Sequence, residues 1–186
     1  MNYAEHPNAE HLLQDGWELF QRKGYLGVSL DELCASCGVT KPTLYYYFKN
    51  KENLFVEVLL RRLQGFRAVI EQGGPLDEAL ARIARTILDS FKTDYAYLVR
   101  DLEQIEHPEN ARRVREAFAA ELFQPLINLM QSAVETGQLR GEPRFLAHLF
   151  MGQVQSYIAR AGEYGLDHPA LAQKLVAYFL QGAAVR

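Results

Sequence analysis

Between Ser29 and Lys51 the chain reads Ser-Leu-Asp-Glu-Leu-Cys-Ala-Ser-Cys-Gly-Val-Thr-Lys-Pro-Thr-Leu-Tyr-Tyr-Tyr-Phe-Lys-Asn-Lys, a run that few backbones can accommodate. Ser29 and Glu32 have the spacing of a capping box, in which each side chain satisfies an orphan N–H at a helix start. Leu30, Leu33, Cys34 and Cys37 then share one helical face. Gly38 supplies the positive φ that ends this helix, and Thr40 caps the next, with Pro42 in its first turn. The second helix carries Lys41, Thr43, Tyr45, Tyr46 and Tyr47, while Leu44 and Phe48, four apart, face inward. A buttress helix, a glycine turn and a second helix with polar groups near its N-terminus make a helix-turn-helix, whose second helix enters the DNA major groove.

The run Phe20-Gln-Arg-Lys-Gly-Tyr25, then Ser29 to Glu32, then Gly38 through Lys51-Glu-Asn-Leu-Phe55, resembles the N-terminal domain of TetR-type transcriptional regulators. The resemblance covers roughly Glu10 to Leu59; beyond about residue 60 no motif carries it. It implies an all-α chain in which a helix-turn-helix domain at residues 1–52 joins a ligand-binding and dimerisation domain at residues 53–186. Where some relatives place a DNA-touching basic residue early in the second helix, this chain has Asp31-Glu32. The burden of base reading therefore shifts to the third helix.

At 186 residues the chain can bury a sizeable core. Its net charge of −3 excludes wholesale basicity as the source of any nucleic-acid affinity. The positive charge is instead local: Val39–Lys51 holds three lysines and no acid. No apolar run is long enough to span a bilayer, and the first residues lack a signal-peptide pattern, so a cytoplasmic protein is expected. Cys34 and Cys37 form a C-x-x-C, but no second Cys or His pair lies at zinc-ligand spacing. Packing against the recognition helix is the better account, and no metal or cofactor is expected. Glu103, Glu106, His107 and Glu109 read as a solvated helix end at Pro108 rather than as metal ligands. The chain has no Gly-rich phosphate loop, no G-x-S-x-G and no H-E-x-x-H, so an enzyme is not expected.

Helical periodicity continues throughout and predicts about nine helices. Leu12, Leu13, Gly16, Leu19 and Phe20 stripe a first helix that ends at Gly24, with Gly16 allowing close approach of a neighbour. A long fourth helix is predicted from Lys51 to Gln72. Pro125 predicts a kink or break within Pro108–Thr136. The last two helices are predicted at Pro143–Tyr164 and Pro169–Ala184.

Lys41 and Thr43 lie where side chains reach base edges, and the resemblance points Tyr46 toward the groove. Thr40 and Pro42 belong to the same leading turn. Tyr45 and Tyr47 fit phosphate ligands through their hydroxyls, and Lys49 and Lys51 fit phosphate partners. Ser29 can donate to a phosphate from its cap. A single head specifies too little DNA, so a homodimer on a palindromic site is expected. Phe150, Val154, Tyr157, Ile158, Leu171, Leu175, Tyr178 and Phe179 are the candidate dimer interface. Phe66, Phe91, Tyr95, Tyr97, Phe118, Phe123, Met130 and Gln153 are candidates to line a pocket for a small-molecule effector. The expected function is a DNA-binding repressor released by a small molecule. An activator, or a ligand-sensing or protein-interaction module on the same scaffold, is the alternative.

Overall fold

The computed structural model describes residues 6–91 and 100–183; Tyr95 and Tyr97 lie outside the described residues. The chain is all-α and forms two compact units. One comprises Met1–Arg62 with Ala96–Glu116, the other Leu63–Tyr95 with Ala117–Arg186. This grouping keeps residues 53–62 with the head and adds a returning segment, both of which were expected in the second domain.

In the first unit, α1 (Pro7–Gly27), α2 (Leu30–Cys37), α3 (Lys41–Phe48) and α4 (Lys51–Leu63) follow in order. Ala9, Leu12, Leu13, Gly16, Trp17, Leu19 and Phe20 recur every three or four residues along α1 and are all buried. The first helical run of α1 ends at Gly24 as expected, where φ 71° and ψ 167° break helical geometry, and a further turn continues to Gly27 across that kink. Gly16 is not demanded by close approach, since a Cβ there would meet Val58 at an ordinary 3.5 Å. Leu12, Leu33, Leu44 and Leu54 are wholly buried, one from each helix. Each such side chain contributes about 1.5–3 kcal/mol, which holds the short α2 and α3 in place where isolated eight-residue helices would not form. Phe20 adds an edge-to-face contact with Phe55 at 5.0 Å between centroids.

The predicted long fourth helix is interrupted. Helix α4 ends at Leu63, Gly65 adopts φ 93°, and a short α5 (Phe66–Ile70) follows. Left-handed geometry is open to glycine without the Cβ clash other residues suffer, so the chain changes direction there.

The second unit contains α5, α6 (Leu76–Ser90), the end of α7 (Pro108–Phe118), α8 (Gln124–Glu135), α9 (Pro143–Gln155) and α10 (His168–Ala183). Helix α6 buries Ala79, Leu80, Ile83, Ala84, Ile87 and Leu88 on one stripe and packs against α10. The irregularity expected at Pro125 takes the form of a π-helical segment, Ala119–Phe123, between α7 and α8. In an α-helix the proline ring would clash with the carbonyl of Glu121 four residues back; the wider π turn removes that clash. Helix α9 stops at Gln155, nine residues short of the expected end. There Ser156 Oγ donates back to the Gly152 carbonyl at 2.7 Å, and Tyr157 N–H bonds Val154 in a tighter i→i+3 turn.

Candidate nucleic-acid interface

Local chemistry builds the interface as expected from the caps. Ser29 Oγ accepts from the Glu32 N–H at 3.1 Å, and Gly38, at φ 64°, returns its own N–H to the Cys34 carbonyl. Thr40 Oγ1 accepts from the Thr43 N–H at 3.4 Å and lies 2.9 Å from the Thr43 hydroxyl, so both threonines share one cap. Lys41 and Pro42 are exposed at the leading edge of α3. Tyr46 is 70% and Tyr45 46% exposed. Tyr47 is half-buried, its ring 5.5 Å from His6 and 5.0 Å from Tyr46. Leu44 and Phe48 fall in the core.

The acids that distinguish this head are paired. Asp31 holds the Lys41 ammonium at 2.7 Å, and Glu32 pairs with Lys23 of α1. The Asp31 hydrogen bond raises the Lys41 pKa, and the Lys23 hydrogen bond lowers that of Glu32. All four groups are open to water, where such pairs add little to stability and exchange partners readily.

The two remaining lysines differ. Lys49 is exposed and ends α3 at φ 65°, the single non-glycine residue with positive φ among those described. Lys51 departs from its expected role as a free phosphate ligand. Its ammonium donates to the carbonyls of Tyr25 at 2.8 Å and Val28 at 2.9 Å, and lies 4.3 Å from the Tyr25 ring centroid. Burial lowers its pKa, with Asp101 pulling the other way. The carbonyls that α1 leaves unsatisfied at its end are what draw this cation inward.

Cys34 and Cys37 are buried thiols. Cys37 lies 3.8 Å from the His11 carbonyl, and burial, helped by Asp15, pushes its pKa up to about 12. The Glu109 carboxylate pairs with Arg112 at 2.6 Å.

In the second unit three of the expected effector residues are packed into core. Phe66 and Phe91 are buried with centroids 6.3 Å apart, Met130 is fully buried, and Phe118 and Phe123 are half-buried. Most of the expected interface set is turned inward as well. Phe150, Val154, Ile158, Leu171, Leu175 and Phe179 are buried within their own unit, and Tyr157 is half-buried beside Tyr164. Only Tyr178 of that set is exposed, at 59%. The outward face of α9 and α10 instead presents Phe145, Leu149, Gly152, Tyr178 and Gly182 around a 660 Å³ groove, which Gln153 and Arg140 also line. Both stripes of α9 are apolar, so periodicity alone could not say which one turned inward.

A buttress helix, a left-handed glycine and an exposed, polar leading turn on α3 define a helix-turn-helix DNA-binding protein. Residues 12–58 match the family model described as bacterial regulatory proteins, tetR family. An uncharacterised helix-turn-helix transcriptional regulator of Bacillus subtilis, YezE, is 27% identical over 134 residues, 67% of this chain and 69% of that one. The transcriptional repressor NemR of Escherichia coli K12 is 36% identical over 64 residues, which span 34% of this chain and 32% of NemR. The regulator FadR of Bacillus subtilis, solved with stearoyl-CoA, superposes with a TM-score of 0.75 at 17% identity, covering 93% of this chain and 98% of that one. Residues 12–58 are thus similar throughout to the DNA-binding domain of tetR-family regulators.

Proposed function

We propose that this protein is a repressor that binds a palindromic operator as a homodimer and lets go when a small molecule occupies its C-terminal unit. The carrying observation is the leading turn of α3, where Thr40, Lys41 and Pro42 stand exposed, Thr43 is half-buried and Tyr46 lies beside them. Lysine can donate to guanine O6 and N7, and a threonine methyl can pack on the thymine methyl. Ser29, Tyr45, Tyr47 and Lys49 supply phosphate contacts around that turn. Lys51 acts as a brace behind them. Such a protein works in the cytoplasm, beside the chromosome.

Two heads on one duplex read half-sites about 34–36 Å apart or a multiple of that. The outward face of α9 and α10 is the dimer surface in this reading, since Phe145 and Tyr178 are 63% and 59% exposed there. The effector enters among Phe66, Phe91, Phe118, Phe123 and Met130, beside the π segment. NemR, a repressor, and FadR, which holds stearoyl-CoA, support the repression and the effector respectively.

The deciding experiment is a mobility shift on DNA flanking the protein's own gene, at several salt concentrations. Sequence-specific binding lost in a Lys41→Ala/Thr43→Ala variant that still dimerises supports the reading. Binding equal to random DNA at every salt concentration refutes it.

A further inference from the structure

Four consecutive residues, Asn50 to Asn53, direct their polar ends to three places. Asn50 Oδ1 accepts from the Asn53 N–H at 2.7 Å and so caps α4. Lys51 grips the end of α1 through two carbonyls. Glu52, a carboxylate only 8% exposed, accepts from the backbone N–H groups of Glu106 at 3.1 Å and His107 at 3.2 Å. It also accepts from Asn110 Nδ2 at 2.7 Å, and the same amide donates to Asn53 Oδ1 at 2.8 Å. One turn further on, Arg113 pairs with Glu57 at 2.6 Å.

The N-terminus of α7 is therefore held by a side chain of α4. The backbone N–H groups of Glu106 and His107, the two residues that lead into α7, are satisfied across the helix pair. Apolar contacts tolerate sliding, but hydrogen bonds to a buried carboxylate do not, because each is directional and an unmet one is expensive in a dry site. The first turn of α4 is thus held on two sides, and only Lys49 and Asn50 separate it from α3. Helix α7 carries the chain out of this unit after Glu116.

We propose that the Asn50–Asn53 turn and Asn110 form a junction that sets the pose of the reading helix from the position of α7, with Glu52 and Asn110 as positioning residues. The inference rests on the DNA-binding reading above. A shift or rotation of α7 reaches α3 through this junction, and Asn110 is its moving contact.

The test compares operator and random duplex affinities of the full-length protein carrying Asn110→Ala, at a temperature where circular dichroism shows wild-type helicity. A positioning role lowers operator affinity by about tenfold or more, within the usual range of coupling between sites, and leaves random-DNA affinity within about twofold. Glu52→Gln offers one carbonyl oxygen where the N–H groups of Glu106 and His107 bind two different carboxylate oxygens, so it strands a donor and lowers the same ratio. Should Asn110→Ala fail to fold, Asn53→Ala removes one of the two acceptors and shifts the same ratio in the same direction. Equal loss on both DNAs, or an unchanged ratio in these variants, overturns the junction. A wild-type protein that does not prefer operator refutes the DNA-binding reading itself.

Discussion

Replacing Tyr178 by alanine tests the outward face of α9 and α10. The side chain is 59% exposed, while its neighbour Phe179 is 4% exposed and packs its ring on Phe150 at 5.3 Å. An aromatic side chain buries about 150–250 Å² when fully covered, so Tyr178 leaves roughly 100–150 Å² for a partner. At about 25 cal/mol per Å², covering it contributes about 2.5–4 kcal/mol per copy. Two copies meet in a symmetric dimer; after allowing for the hydroxyl and for the alanine that remains, about 4 kcal/mol is lost. The affinity between protomers should therefore fall by roughly three powers of ten. Sedimentation velocity over a dilution series reads this directly, with urea unfolding at low concentration as the control. Tyr178→Ala should leave protomer stability nearly unchanged. Phe179→Ala should cost about 3–5 kcal/mol of it by opening a cavity. A Tyr178→Ala dimer whose dissociation constant stays within tenfold of wild type would refute the assignment of this face.

Three further outcomes follow from the geometry. Lys51→Met keeps the aliphatic stem on Tyr25 but strands two carbonyls, so a loss of about 1–3 kcal/mol in chemical denaturation is expected. The salt dependence of DNA binding should stay at its wild-type slope, whereas loss of a free phosphate ligand would reduce that slope by about one. Gly65→Ala places a Cβ at φ 93° and should destabilise by about 1–2 kcal/mol in a thermal melt; a gain would mean that α4 prefers to continue. Asp101 is buried, and burial raises its pKa above the ordinary 3.8 despite the Tyr25 N–H, Arg100 and Lys51. The folded state thus holds this proton more tightly than the unfolded chain. Its contribution is fully present below the ordinary value and is lost as pH rises through the folded one. Asp101→Asn should therefore stabilise at pH 7 relative to wild type and lose that advantage near pH 3, measured by urea titration at both. An advantage that grows toward low pH would contradict the raised pKa.

The local features of the head were readable because their causes are local. Ser29, Gly38 and Thr40 act on backbone groups within three or four residues, and a spacing in the sequence is all that such caps require. Gly65 carries no comparable signal, because a lone glycine in a helical pattern is tolerated as often as it breaks one. Pro125 announced an irregularity, but the choice between kink, break and π turn depends on neighbours that sequence does not show. Glu52 and Asn110 stand 58 residues apart, and neither carries a local signal that would pair them. Lys51 belonged by composition to a basic stretch; only the position of the α1 end reveals that its charge is already engaged. On α9 both apolar stripes were visible, and the packing of α6, α8 and α10 decided between them.

The contact between Lys41 and Asp31 has a consequence for how salt governs this head. When lysine meets a phosphate, the ion that had condensed on the DNA is freed, and the count of such ions appears as the slope of affinity against salt. In the proposed complex Lys41 would reach DNA only by leaving a carboxylate 2.7 Å away. That carboxylate then stands exposed beside a polyanion and gathers a cation from solution. One ion leaves the duplex as another joins the protein, so this contact contributes close to nothing to the slope. A head built in this way holds its operator through more contacts than its salt dependence would count.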